Sequence, residues 1–306
     1  MNAKLSAARL RSYINEVELP LRIAFWSETE AKVILRYGAV VGSVLEQHFS
    51  LNRTMLHARS HISTMEQTGR SVASGTTILA DCVPGSKGRF TRNWHAPEGG
   101  LWGTTIYVNT LLPQSRLLLP ITAGIACCEA VRESGAENAA IRWINDVLVD
   151  GLKVGGFLSE SLTGSRSNEE YCLIGFGINV NNQQFPEELQ DIGTSIGLHL
   201  GRSVDLETFA YCFLAKLSWN IGLLHYYEDV LLQNDSPTGD SPCHPLIKRW
   251  RELSDSPGKR VMFGFDVMTN PQYRATVSGI SEDGGLRLVL DDGSEITEYS
   301  GEIRYL

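Results

Sequence analysis

Arg142-Trp143-Ile144-Asn145-Asp146, followed by Lys153-Val154-Gly155-Gly156, is the stretch on which the fold turns. Ala140–Trp143 and Val147–Val149 are short apolar runs, and Asp150-Gly151 is a turn signal. The stretch therefore reads as strand, turn and strand, with a further strand over Lys153–Ser161. A hairpin of this kind returns Lys153 to the neighbourhood of Asp146. Two readings of that pair stand open. Buried Lys and Asp are rarely left unpaired, so they can simply pair with each other, and spacing alone slightly favours this. Alternatively Lys153 faces an anion, while Gly155 and Gly156 let a ligand approach the backbone.

Upstream lies Gly85-Ser-Lys-Gly-Arg-Phe-Thr-Arg-Asn-Trp94, with two glycines, three cations (Lys87, Arg89, Arg92) and a tryptophan. It follows the strand-like run Gly75–Ala80 and a turn at Pro84-Gly85. A flexible loop closing on an anion and a solvated basic turn fit it equally well. Downstream, Gly175-Phe-Gly-Ile-Asn179 places alternate glycines on an apolar strand. That arrangement strips side chains from one face and leaves room for a flat ligand; it also marks bulges. Asn179 at the strand end is placed to read a ribose or a phosphate.

Around these stretches the chain alternates helices and strands. Helices are expected over 3–16, 28–49, 65–73, 121–134 and 206–227, and over Pro245–Leu253. Ser63-Thr64 is read as a turn after His61-Ile62, Leu101–Leu111 as a strand, and Glu170–Val180 as another. Gln233–Pro242 reads as a linker or exposed loop. Short strands over 260–265, 273–280, 286–290 and 294–299, with Asp-Gly turns, read as a small terminal barrel. The helical pattern 28–49 offers no exposed polar recognition helix, so packing or a dimer contact is preferred to DNA binding. The expected domains are a 1–59 extension of unassigned role, a 60–255 catalytic unit and a 256–306 barrel.

Composition narrows the function classes. The chain has 306 residues, 42% of them hydrophobic and 20% charged, ample for a globular core. A net charge of −8 argues against a broad nucleic-acid surface but leaves room for a small basic pocket. Six cysteines without CxxC spacing point to a reduced protein. No signal-peptide pattern and no membrane-length apolar run stand out, so a cytoplasmic setting is expected.

Taken together and in order, Ser63-Thr64, the basic loop, Pro97-Glu-Gly-Gly-Leu, Trp-Ile-Asn-Asp with Lys153-Val-Gly-Gly, and Gly-Phe-Gly-Ile-Asn resemble the biotin protein ligases over about residues 60–306. The resemblance implies an α+β fold. Its mixed sheet with flanking helices looks like a class II aminoacyl-tRNA synthetase core, and a small SH3-like β-barrel lies at the C-terminus. It implies that biotin is activated with ATP to biotinyl-5′-AMP and then passed to a lysine of a biotin carboxyl carrier domain. Lys153, Arg89 and Lys87 would be catalytic. Ser63, Thr64, Ser86, Lys87, Lys153, Gly156, Gly175 and Gly177 would meet biotin. Arg89, Arg92, Trp94, Asn145, Asp146, Lys153 and Asn179 would surround ATP. Mg²⁺ would arrive with ATP, near Asp146, without a ligand set of the protein's own. No nucleic-acid or membrane partner is expected, and a homodimer is left open.

The chain also departs from the family pattern. Ser86-Lys87 replaces a Gly-Arg, Thr91 a glycine, Val83 a glutamine, Met65 an asparagine, and Arg142-Trp-Ile stands for Lys-Trp-Pro. The family's tail arginine is either Arg304, shifted, or missing. Two further readings therefore stay open: a ligase for another acid such as lipoate or octanoate, and a biotin-binding regulator with weak turnover.

Overall fold

The computed structural model describes residues 4–233 and 243–306; apart from Gln233, the expected linker lies outside them. Helices α1 (Ala7–Tyr13) and α2 (Leu19–Ile23) are joined by a π-helical turn, and α3 (Glu28–Gly38) begins with a Ser27/Glu30 capping box. Strand β1 (Leu45–Ser50) and helix α4 (Thr54–Gln67) follow. Strands β2 (Thr76–Cys82) and β3 (Leu101–Val108) lead to helices α5 (Pro113–Arg116) and α6 (Leu119–Glu133). Next come β4 (Ala140–Arg142), β5 (Asp146–Val149), β6 (Leu152–Thr163) and β7 (Glu170–Ile178). Helices α7 (Ile196–Leu200), α8 (Leu206–Gln233) and α9 (Pro245–Leu253) complete this part. The last strands are β8 (Arg260–Gly264), β9 (Tyr273–Ile280), β10 (Leu286–Leu290), β11 (Glu295–Glu298) and β12 (Glu302–Tyr305).

The fold is α+β. A seven-stranded mixed sheet runs β1-β2-β3-β7-β6-β5-β4, with β1 parallel to β2 and every other pair antiparallel. Side chains alternate across it, as strand geometry requires. Tyr107, Cys172 and Ile174 join the large core beneath α6 and α8, whereas Ile106, Tyr171 and Leu173 join a smaller core under α4. Both faces are thus covered, which explains why these strands read as continuous apolar runs. The C-terminal five-stranded antiparallel sheet, ordered β11-β10-β9-β8-β12, is compatible with an SH3-like unit. Among the described residues, no helix is long and apolar enough to cross a membrane.

The helix expected over 28–49 stops at Gly38, and its remainder supplies an edge strand of the main sheet. Residues 39–44 form a turn in which Gly42 takes φ +69°, a left-handed conformation that carries the chain out of the helical path before β1 begins at Leu45. The helix expected over 65–73 is instead α4, displaced toward the N-terminus, so the expected boundary at residue 59 falls inside it. Residues before it share the main core through Leu5, Leu10, Ile34 and Leu35. Helices α3 and α8 approach closely at two glycines. A Cβ on Gly38 would lie 1.8 Å from the Ser218 carbonyl oxygen, and one on Gly222 2.0 Å from that of Ile34.

Candidate functional site

Strand β7 creates the hollow. Leu173, Gly175 and Gly177 follow one another on the face that α4 covers. Leu173 fills its place, but at the two glycines no side chain rises from the sheet, and Met55 and Trp94 lie over them instead. A cavity of about 250 Å³ opens there. Gly175 faces Met55 of α4, whose sulfur would be 3.1 Å from a Cβ at that position. Gly156 of β6 pairs with Gly177 and widens the same floor.

The hairpin delivers charge to one wall. A bulge between β5 and β6 sets Asp146 opposite Gly156 and Leu148 opposite Lys153, leaving Val154 as the extra residue. Lys153 Nζ lies 2.5 Å from Asp146 Oδ1, and Arg142 Nη2 lies 2.7 Å from Asp146 Oδ2. Burial pushes the Asp146 carboxyl up, but Lys153 and Arg142 outweigh it and hold the group below its ordinary range. Asp146 is therefore a fixed anion between two cations. Its neighbour Asn145 donates to the Phe157 carbonyl, and Asn179 accepts from Asn182 at 3.1 Å. Both open readings of Lys153 thus meet in one geometry: the ammonium is paired, yet it lines the cavity.

The basic loop is folded rather than loose. Lys87 and Asn93 form a bridge and a side-chain hydrogen bond, and Trp94 N–H donates to Ser86 at 3.0 Å, so 86–94 is a small hairpin. At its tip Phe90 takes φ +53°, a left-handed conformation costly for an aromatic residue. The Phe90 ring lies 5.0 Å from the Arg89 guanidinium and 5.6 Å from that of Arg92.

Both arginines reach the C-terminal sheet. Arg89 donates to the Gly301 carbonyl at 2.6 Å, while Arg92 bridges Asp266 at 2.5 Å and Glu302 at 2.6 Å. Burial lowers the Arg89 pKa, with Glu302 and Asp146 opposing it. Burial opposes the positive charge on Arg92 too, but Glu302 and Asp266 raise its pKa overall.

Trp94 lies across the glycines. A Cβ on Gly177 would come within 2.6 Å of the indole Nε1, and one on Gly156 within 3.1 Å of the ring. Lys153 Nζ stands 5.1 Å from the ring centroid. The indole N–H is buried and has no hydrogen-bond partner among the described residues. A buried donor left unmade costs about 1–3 kcal/mol, which favours an alternative position for the indole.

Ser86, Lys87, Arg89, Arg92, Trp94 and Asn145 all line the cavity, as do Asp146, Lys153, Gly156, Gly175, Gly177 and Asn179. Ser63 and Thr64 do not. They are exposed near the C-terminal end of α4, because that helix starts at Thr54 and not after the turn at residue 65. Their place at the strand-to-helix corner is held by Ser50-Leu51-Asn52, where the Asn52 carbonyl accepts from Gly85 N–H at 3.0 Å. Val83 is buried and lines the cavity as well.

Residues not anticipated include Thr54 and Met55, the wall formed by Phe185, Ile192 and Gly193, and Glu302. Periodicity carries no signal for that wall; it is held by Lys153 N–H donating to Ile192 at 2.8 Å and Thr194 N–H donating to Lys153 at 3.0 Å. Arg304 is exposed and has no place in the cavity lining.

A mixed sheet hollowed by glycines, a cationic hairpin and a lysine–aspartate wall define a fold of the biotin/lipoate ligase type. Residues 63–179 match the biotin/lipoate A/B protein ligase family. The biotin protein ligase of Aquifex aeolicus, solved with biotin and ATP, superposes with a TM-score of 0.66 at 22% identity, covering 86% of this chain and 99% of that one. The bifunctional ligase/repressor of Bacillus subtilis is 32% identical over 182 residues, 58% of this chain and 54% of that protein. The biotin–[acetyl-CoA-carboxylase] ligase of Paracoccus denitrificans is 33% identical over 141 residues, 43% of this chain and 57% of that protein. These matches span about half the length of either relative. Residues 63–179 thus carry the biotin/lipoate A/B protein ligase signature, and the chain as a whole shares the fold of the biotin protein ligases.

Proposed function

We propose that this chain activates biotin with ATP and transfers it to a lysine of a biotin carboxyl carrier domain. The observation that carries the reading is the convergence of Lys153, the 86–94 hairpin and the glycine floor on one cavity. The names of the relatives support it. In the first step the carboxylate oxygen attacks the α-phosphorus; a C–O–P anhydride forms, the Pα–O bond to the β-phosphate breaks, and pyrophosphate leaves. Attack of one anion on another needs fixed positive charge, here Lys153, Arg89 and Lys87, with Arg92 nearby. In the second step the carrier amine attacks the acyl carbon, the anhydride C–O bond breaks, an amide forms, and AMP departs as the amine loses a proton.

Gly156, Gly175 and Gly177 would lie against biotin, with Ser86 and Lys87 at its rim. Asn145, Asp146 and Asn179 would face the nucleotide. Trp94 would leave the glycine slot and offer a stacking face to adenine. The cavity's carboxylates, Asp146 and Glu302, are both paired with cations, so they offer no free ligand to a resident Mg²⁺. Mg²⁺ is accordingly assigned to ATP. The core packing of α1 to α3 supports a structural rather than a DNA-reading role for the first residues, and the reading places the enzyme in the cytoplasm.

The experiment is ATP–pyrophosphate exchange with biotin, lipoate and octanoate offered separately. Exchange with biotin alone is expected. Exchange only with another acid would overturn the substrate and point to Val83, an apolar residue of the lining. Absence of exchange with any acid would overturn the ligase reading.

A further inference from the structure

At the β1 edge of the main sheet, four side chains from two elements converge. Glu46 and His48 are two apart on β1 and so share a face. His57 and His61 are four apart on α4 and share a helix face. Glu46 Oε1 lies 2.6 Å from His48 Nε2 and 2.8 Å from His57 Nε2. His61 Nδ1 lies 3.8 Å from Glu46 Oε2. The rings of His48 and His57 meet edge-on with centroids 4.7 Å apart. One oxygen and two imidazole nitrogens fall within 4.8 Å of one another.

A hydrogen-bond reading uses the two imidazoles only as donors to a single carboxylate oxygen. It accounts for the contacts but not for why both rings aim the same nitrogen at one point. Two imidazoles and a carboxylate, with a fourth position left for water or another ligand, make the donor set of a zinc-like ion. Hard ions such as Mg²⁺ and Ca²⁺ prefer all-oxygen sets and are disfavoured here.

We propose that Glu46, His48 and His57 bind a divalent transition metal of the zinc class, with His61 as fourth ligand or as support for the carboxylate. The ion takes no part in the ligase chemistry. It pins α4 to β1. His57 lies two residues beyond Met55, which lines the cavity and packs on Gly175, so the ion holds the start of α4 in register with the glycine floor. A metal clip between strand and helix would stabilise the native state by binding it alone.

The test uses the full chain stripped of metal by a chelator, with Co²⁺ as a spectroscopic probe and Zn²⁺ as competitor. One equivalent of Co²⁺ with the visible bands of a four-coordinate ion is expected, displaced by Zn²⁺. His48→Ala and His57→Ala should each weaken binding by about tenfold or more. Glu46→Gln, which keeps the side chain's shape, should weaken it while leaving the metal-free melting temperature unchanged. His199→Ala, whose ring pairs with Asp150 instead, should bind as the parent does. A hundredfold excess of Zn²⁺ over Kd should raise the parent Tm by about 5 °C and leave the His48→Ala/His57→Ala double variant unmoved. Equal Co²⁺ binding by the parent and the double variant, or no stoichiometric binding at all, would overturn the site.

Discussion

Lys153 shows how a paired residue can still be available for chemistry. Its ammonium is held by Asp146, but the pair forms a cavity wall rather than a buried knot. Lys153→Ala should lower pyrophosphate exchange about 10²–10³-fold, the usual loss on removing one charge-stabilising donor, with circular dichroism unchanged. Retained exchange would remove Lys153 from the reaction. Lys153, Asp146 and the glycines were legible in the sequence because a hairpin and a strand fix their spacing locally. Ser63-Thr64 was misplaced for the opposite reason: its position depends on where a helix starts, and Thr54 begins α4 without a side-chain cap from Arg53 to announce it.

The hairpin 86–94 and the C-terminal sheet form one working element. Arg92 spans from the cavity rim to Asp266 and Glu302, so the C-terminal sheet holds the loop that lines the cavity. The double variant Asp266→Asn/Glu302→Gln should release the hairpin, and trypsin should cut after Arg89 or Arg92 several times faster than in the parent. An unchanged cleavage rate would mean that Arg89 and the Gly301 carbonyl suffice. The contact between α3 and α8 belongs to the same scale. Gly38→Ala puts a methyl against a backbone oxygen and should cost about 2–3 kcal/mol of overpacking, read as a lower denaturant midpoint. Strand β1 was not legible, because Gly42 interrupts an otherwise helical apolar spacing only through its backbone. Missing β1 also hid the Glu46–His48 pattern, since residues two apart share a face only on a strand.

Across the whole molecule, a buried charge network ties the first residues to the core. Glu18 meets Arg22 at 2.7 Å and Lys216 at 3.2 Å, while Glu129 meets Arg22 at 2.7 Å and Arg249 at 2.6 Å. Burial pushes Glu129 up, but Arg22 and Arg249, with Lys216, bring it down to about 2. A depressed carboxyl stabilises the fold above its ordinary pKa and loses that contribution as pH falls toward 2. The Glu129 contribution should therefore be lost as a drop in urea midpoint below about pH 4.5, after a shallower decline from about pH 6.5 as buried His244, whose pKa is pushed down to about 4, opposes protonation. Glu129→Gln should cost about 1–3 kcal/mol at pH 7, since Arg22 keeps Glu18 and Arg249 keeps Glu252 but both lose a charged acceptor, and should flatten the acid slope. The α+β class and the terminal sheet were legible because turn signals and apolar runs report them directly. This network was not, because it joins residues more than a hundred positions apart.

Trp94, lying in the slot between Gly156 and Gly177, is a competitor carried on the same chain. Any ligand that uses the glycine floor enters by trading places with an indole present at a high effective concentration, and its apparent affinity is discounted by the plugged fraction. The exchange also makes the site self-reporting. An indole leaving a dry slot beside a lysine should shift its emission as substrate is added, and Trp94→Phe should silence that signal. The residue that screens the floor would then count its own displacement.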